Sequence, residues 1–208
     1  MPVTPHLVSI DAIPMFGSNV SSQDRLWACH DAFVDEIGDD IIAGIVYDRS
    51  FARLKSGISE GMITHGQWVL HISLIMEGQI SNGGVAQLLK NFPHLIEDCL
   101  EVLEFLALLD FLKQLQLAAG DLPSQVSRLR QKHGEGPTDI SAIDVSWDGD
   151  DLAVKTIDND FKLVFEDRAD PQRWGCVPRD GYCDLLCRRA ADYALDHIDQ
   201  FAKIAANQ

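Results

Sequence analysis

The amino-acid sequence predicts a mainly α fold: one multi-helix globular domain over residues 22–208, behind an extended lead-in at 1–21. Two long apolar stripes recur at helical spacing, over 67–80 and 95–119. Near the end of the first, Ser81-Asn82-Gly83-Gly84 forms a tight joint of the kind that ends one helix and starts another. A chain of 208 residues can bury a sizeable core without staples, and 46% hydrophobic with 24% charged residues is ordinary for a soluble globule.

The elements follow in order. Residues 1–21 are rich in Pro and small side chains. Ser22-Gln23-Asp24 can cap a helix with Leu26, Trp27, Phe33, Val34 and Ile37 on its apolar side and Asp31, Asp35, Glu36, Asp39 and Asp40 on its wet one. Residues 41–47 stay apolar, interrupted by Gly38 and Gly44, and 56–61 reads as a loop. Trp68, Ile72, Ile75 and Met76 share a face of the 67–80 helix. Val85, Leu88, Leu89 and Phe92 start a further stripe, which Pro93 breaks. In 95–119 the buried side is Leu95, Cys99, Val102, Leu103, Leu106 and Leu109. A shorter helix covers 123–133, and Gly134-Glu135-Gly136-Pro137 is a linker.

The pattern changes at 139–170. Ile143, Val145 and Trp147 alternate with polar residues, as do Leu152 and Val154, then Phe161, Leu163 and Phe165. Asp148-Gly149 and Asp158-Asn159 fall where hairpin turns belong. Locally this reads as a small β-meander over 140–166, although Ile157, Phe161 and Val164 also fit a helix. A last helix is predicted over 180–205, carrying Leu185, Leu186, Tyr193, Leu195, Ile198 and Phe201.

Charge bounds the function. There are 32 acids against 17 bases, a net charge of -15. Such a surface attracts cations and basic proteins and repels phosphate backbones, which disfavours direct nucleic-acid binding. It also serves plain solubility. Glu97, Asp98, Glu101 and Glu104 stand at helical spacing, with Cβ atoms about 5–6 Å apart, near the spacing of neighbouring phosphates. A second group is Asp144, Asp148, Asp150, Asp151, Asp158, Asp160, Glu166, Asp167 and Asp170. Over 139–170 ten acids face three bases, a local charge of -7. Both groups are candidate partner-binding acids, and both also read as a solvated acidic face.

Catalytic and metal motifs do not stand out. Cys183 and Cys187, with Cys176 and His197, lack the paired spacings of structural zinc sites and read better as buried thiols. Asp148, Asp150 and Asp151 around Gly149 are too few for a calcium loop. His30 beside Asp31 reads as a surface pair. Neither a Gly-x-Ser-x-Gly elbow, nor a P-loop, nor a dinucleotide fingerprint appears. No catalytic residue, metal ligand or cofactor is therefore assigned. The Asn82-Gly83-Gly84 turn could hold an anion at a bare helix N-terminus, or serve as a helix–helix corner that needs glycine for its shape.

Residues 1–19 show no basic start followed by an apolar run, so a reducing cytoplasm is expected for the five cysteines. The apolar stretch at 102–112 is interrupted by Glu104 and Asp110 and is too short to span a bilayer. Phe105, Leu106, Leu108, Leu109, Phe111 and Leu112 suit either self-association as a homodimer or a fully buried helix.

The run Glu77-Gly78-Gln79-Ile80-Ser81-Asn82-Gly83-Gly84-Val85-Ala86-Gln87 resembles the bacterial family of DNA mimic protein nineteen, with Glu77, Asn82, Gly83, Gly84 and Gln87 at the matching positions. Val85, Leu88 and Leu89 stand where that family usually has aromatics. The resemblance covers roughly 27–174, with Trp27, Phe33 and Trp68 as further anchors, and leaves the cysteine-containing tail unexplained. It implies a mainly helical fold, a helical reading of 139–170, and a dimer that occupies the DNA-binding face of a transcription regulator. The expectation is a non-enzymatic, acidic interaction protein bound to a basic partner. The alternatives are an immunity- or antitoxin-like protein covering a basic toxin, then a metal-dependent enzyme.

Overall fold

A computed structural model describes residues 6–8, 20–34, 53–134, 143, 154–155, 157–158, 161 and 181–204. The elements run β1 (His6–Val8), α1 (Ser22–Phe33), α2 (Ser56–Ser59), α3 (His65–Asn91), a 3₁₀ turn (Pro93–Leu95), α4 (Ile96–Phe105), α5 (Leu109–Ala119), α6 (Leu122–His133), α7 (Tyr182–Asp196), a 3₁₀ turn (Ile198–Gln200) and β2 (Ala202–Ile204). The fold is mainly α, as the sequence predicts. β1 and β2 pair in parallel, with His6 opposite Ala202, so part of the lead-in is a strand tied to the far end of the chain. The short helix α2 replaces the loop expected at 56–61.

Helix α3 is central. Thr64 caps it by a reciprocal box: the Thr64 hydroxyl accepts from the Gln67 backbone N–H at 3.2 Å, and Gln67 Oε1 accepts from the Thr64 N–H at 2.8 Å. Every residue from Gly66 to Ser73 is buried, as a helix enclosed on all sides requires. The joint lies inside this helix. Gly83 (φ -150°, ψ 17°) and Gly84 (φ 78°, ψ 176°) leave helical geometry, and the helix resumes at Val85.

Helices α1 and α7 lie on α3 and on each other. Cys183, Leu186, Cys187, Ala190, Ala191 and Ala194 line the buried side of α7 at three- and four-residue spacing, and the small cysteines and alanines among them let α1 approach. Ser21 caps α1 by accepting from the Asp24 N–H at 3.1 Å. The buried side of α1 is Leu26, Cys29, His30 and Phe33, whereas Trp27 is half exposed.

Three expectations are corrected here. Residues 95–119 are not one helix. Ala107 turns left-handed (φ 56°), with the Leu108 N–H bonded to the Leu103 carbonyl and the Ala107 N–H to the Glu104 carbonyl, which closes α4 and redirects α5. Phe111 and Leu115 thereby enter the core, while Leu109 is 62% exposed. Of the run considered for self-association, Leu106, Leu108 and Phe111 are buried and Phe105 and Leu109 are exposed. The last helix ends at Asp196, not 205, because Phe201 folds back against Phe33 and over Gly66, where a Cβ would collide with its ring. Finally, Val154, Lys155, Ile157, Asp158 and Phe161 are helical. Val154, Ile157 and Phe161 are buried at helical spacing, so the meander fails at these positions. The rest of 140–166, apart from Ile143, lies outside the described residues. Among the described residues no helix is long and apolar enough to cross a membrane.

Candidate functional site

The acids of α4 come first. Asp98 is not on the surface: it is fully buried, and its Oδ1 accepts from Trp68 Nε1 at 2.8 Å and the Lys55 backbone N–H at 3.0 Å. Arg53 Nε stands 3.5 Å from its other oxygen. Arg53 also bonds Glu101 at 2.6 Å and lies 3.9 Å from Glu97, Lys55 pairs with Glu101, and Arg130 bonds Glu97 at 2.7 Å. Three cations thus answer three carboxylates. Only Glu104 of the predicted acidic face is exposed and without an ion pair among the described residues. Burial raises the Asp98 pKa, with Arg53 and the Trp68 bond working against the rise. Glu101 is moved the other way: burial opposes its charge, but Lys55 and Arg53 outweigh it and hold its pKa down.

The second acidic group is represented by Asp158, which also turns inward. Its Oδ1 accepts from the Val85 N–H at 2.7 Å, on the bare N-terminus where α3 resumes. The Asn-Gly-Gly joint is therefore filled by the chain's own carboxylate, whose charge suits the positive end of the helix dipole. A Cβ on Gly84 would lie 2.5 Å from Asp158 Oδ2, so glycine supplies both the backbone angle and the room. Asp144, Asp148, Asp150, Asp151, Asp160, Glu166, Asp167 and Asp170 lie outside the described residues.

Glu77 is 1% exposed and accepts from Gln23 Nε2 at 2.5 Å and Ser81 Oγ at 2.9 Å, which ties α1 to α3. Gln87 Nε2 donates to Gln79 Oε1 at 3.1 Å across the joint. Asn82 is exposed.

Beside the ion network is a groove of about 440 Å³ lined by Lys55, His65, Trp68, Glu101, Glu104 and Phe105. The Phe105 ring is held by edge contacts to His65 at 4.7 Å and Tyr193 at 5.0 Å. Lys55 Nζ sits 5.2 Å from the Trp68 ring centre. Burial, then Lys55, keeps the His65 pKa below its ordinary value. The sequence gives no signal for this assembly, because Lys55, Phe105 and Tyr193 come from three separate segments.

The four described cysteines form no site, and Cys176 lies outside the described residues. Cys29, Cys99, Cys183 and Cys187 are free and buried. Burial pushes the Cys29 thiol up to about 12. Among the described residues no cluster of three His, Cys, Asp or Glu could hold a metal. His30 is not a surface residue either: it is buried, with Nε2 3.0 Å from His71 Nδ1, while Asp31 is exposed.

A family model described as DMP19-like protein matches residues 62–174, more than half of the chain. The chain belongs to the DMP19-like family. The matched segment starts at Met62, so α1 with Trp27, which the resemblance included, lies outside it, as does α7. Inside it are Glu77, the Gly83–Gly84 joint with its Asp158 cap, the α4 acids and most of the groove. The DMP19-like segment therefore depends on two helices from beyond its bounds to bury α3. No curated protein and no solved structure matches the chain.

Proposed function

We propose that this protein is an acidic binding protein that acts as a DNA mimic, occupying the phosphate-contacting Lys and Arg residues of a basic DNA-binding regulator. It acts by binding and not by catalysis, without a cofactor, in the cytoplasm. The observation that carries this reading is where the charge surplus lies. Among the described residues 15 carboxylates face 12 Lys and Arg, a balance of -3, which leaves -12 of the total -15 to the remaining residues. The described helical scaffold nearly neutralises itself, and in this reading the cationic partner meets the charge surplus of the remaining sequence. Membership in the DMP19-like family supports the same reading.

Association driven by such a surface weakens steeply with salt. The test is a pull-down from native lysate at low ionic strength, followed by salt-step elution, identification of the released protein and a DNA-competition assay. A basic DNA-binding protein released by moderate salt, which regains DNA when this protein is removed, is the expected result. Capture that ignores salt, or a partner whose DNA binding is undisturbed, defeats the proposal. Release of a toxin-like protein whose activity is blocked would replace it with the immunity-like alternative.

A further inference from the structure

We propose that the groove between α2, the start of α3 and the end of α4 is a receptor for a single arginine side chain presented by the basic partner. This rests on the reading above and narrows it to one contact. Glu101 and Glu104 are three residues apart on α4, so both carboxylates share the face that lines the groove. The chain itself demonstrates what the lining accepts. The Lys55 ammonium sits there between the Glu101 carboxylate and the Trp68 ring, at 5.2 Å from the ring centre, within cation–π range. Lys55 and Arg53 satisfy Glu101 and leave Glu104, which also lines the groove, exposed and without an ion pair among the described residues.

Phe105 supplies the wall. It is 45% exposed, a large apolar surface left uncovered, yet it is held in place by His65 and Tyr193. A planar guanidinium can stack on such a ring while its fork of N–H groups meets a carboxylate, and it sheds water more readily than an ammonium. His65 does not compete as a cation, since burial and Lys55 both favour its neutral form. Charge complementarity and the uncovered ring together select arginine over an anionic or purely apolar ligand.

The experiment is an NMR titration of the full chain at low ionic strength with blocked Gly-Arg-Gly peptide. The same peptide with lysine, or with uncharged citrulline, in place of arginine is the control. Saturable shifts centred on the Glu101–Phe105 amides and the Trp68 indole N–H are expected, strongest for arginine and absent for citrulline. Glu104→Gln and Phe105→Ala change exposed side chains and should each weaken arginine binding about fivefold. Undisturbed dispersion of the remaining resonances checks that each variant is folded. No saturable binding, equal shifts from citrulline, shifts spread over Asp110, Asp121 and Asp196, or indifference to both substitutions overturns the receptor. The salt-step pull-down does not depend on the groove, so a failed receptor with intact salt-sensitive partner binding is distinguishable from failure of the mimicry itself.

Discussion

A methyl group on Gly84 would lie 2.5 Å from Asp158 Oδ2, on a backbone at φ 78° and ψ 176° that side-chain-bearing residues scarcely adopt. Backbone strain of this kind costs about 1–3 kcal/mol, and the displaced carboxylate would also release the Val85 N–H it caps. Gly84→Ala should therefore lower unfolding stability by about 3 kcal/mol in urea denaturation. Asp158→Ala should lower it by about 1–2 kcal/mol through loss of the cap. Both substitutions break the same hydrogen bond, so the double variant should lose less than the two single losses together. Strict additivity would mean that Asp158 does not cap the joint. At this scale Glu77, Gly84 and Asp158 are framework residues, and the glycine pair marks a place where the helix is opened to receive a side chain more than 70 positions away.

At the scale of elements, α4 is fastened to the segment before α2 by the Arg53 guanidinium together with Lys55. Arg53 meets Asp98, Glu101 and Glu97 together; burial works against its charge, but the three carboxylates outweigh that and raise its pKa. Arg53→Ala would leave Asp98 buried without its cation, a loss of about 3 kcal/mol. Adding Asp98→Asn should restore much of it, since an amide oxygen still accepts from Trp68 and the Lys55 backbone. A double variant no more stable than Arg53→Ala alone would refute this account. The helices themselves were largely legible: the stripe of Trp68, Ile72 and Met76 marks α3 and the glycine pair its break, although the stripe alone misses the Thr64–Gln67 box that starts the helix two residues before the predicted 67. The acidic stripe was misleading for a physical reason. Helical spacing reports which acids are neighbours, not which cations a distant segment delivers, and Arg53 lies more than 40 positions from Glu97 and Glu101. Asp98 carried a usable hint, because it sits three residues after Leu95 and four before Val102, on the apolar stripe, where the indole of a buried Trp68 needs an acceptor. The turn at Ala107 left no signal, since Ala is a strong helix former and only the need to bury Phe111 redirects the chain. At 154–161 apolar positions fit both periods, and burial of Val154, Ile157 and Phe161 decides for the helix.

For the whole molecule, pH acts in two opposite directions. Towards the isoelectric point near 4.6 the net charge of -15 shrinks, and relief of self-repulsion favours the folded state. His71 acts against this. It is buried where α1 meets α3, against His30, and burial first, then the neighbouring imidazole, lowers its pKa from 6.5 to about 3. A group neutral when folded and protonated when unfolded leaves stability intact above 6.5 and removes it progressively as pH falls from there towards 3. The loss is about 1.4 kcal/mol per pH unit within that window, so between about pH 7.5 and about pH 5 His71 should remove about 2 kcal/mol. His71→Asn keeps a hydrogen-bonding atom near the Nδ1 position and cannot titrate. Urea denaturation of both proteins across this range isolates the term, because the change in surface repulsion is common to them. The variant should be less stable than the parent at neutral pH, and the gap should narrow by about 2 kcal/mol at the acid end. Parallel stability curves would show that the His30–His71 contact does not exclude a proton, and that acid sensitivity, where present, arises from the carboxylates alone.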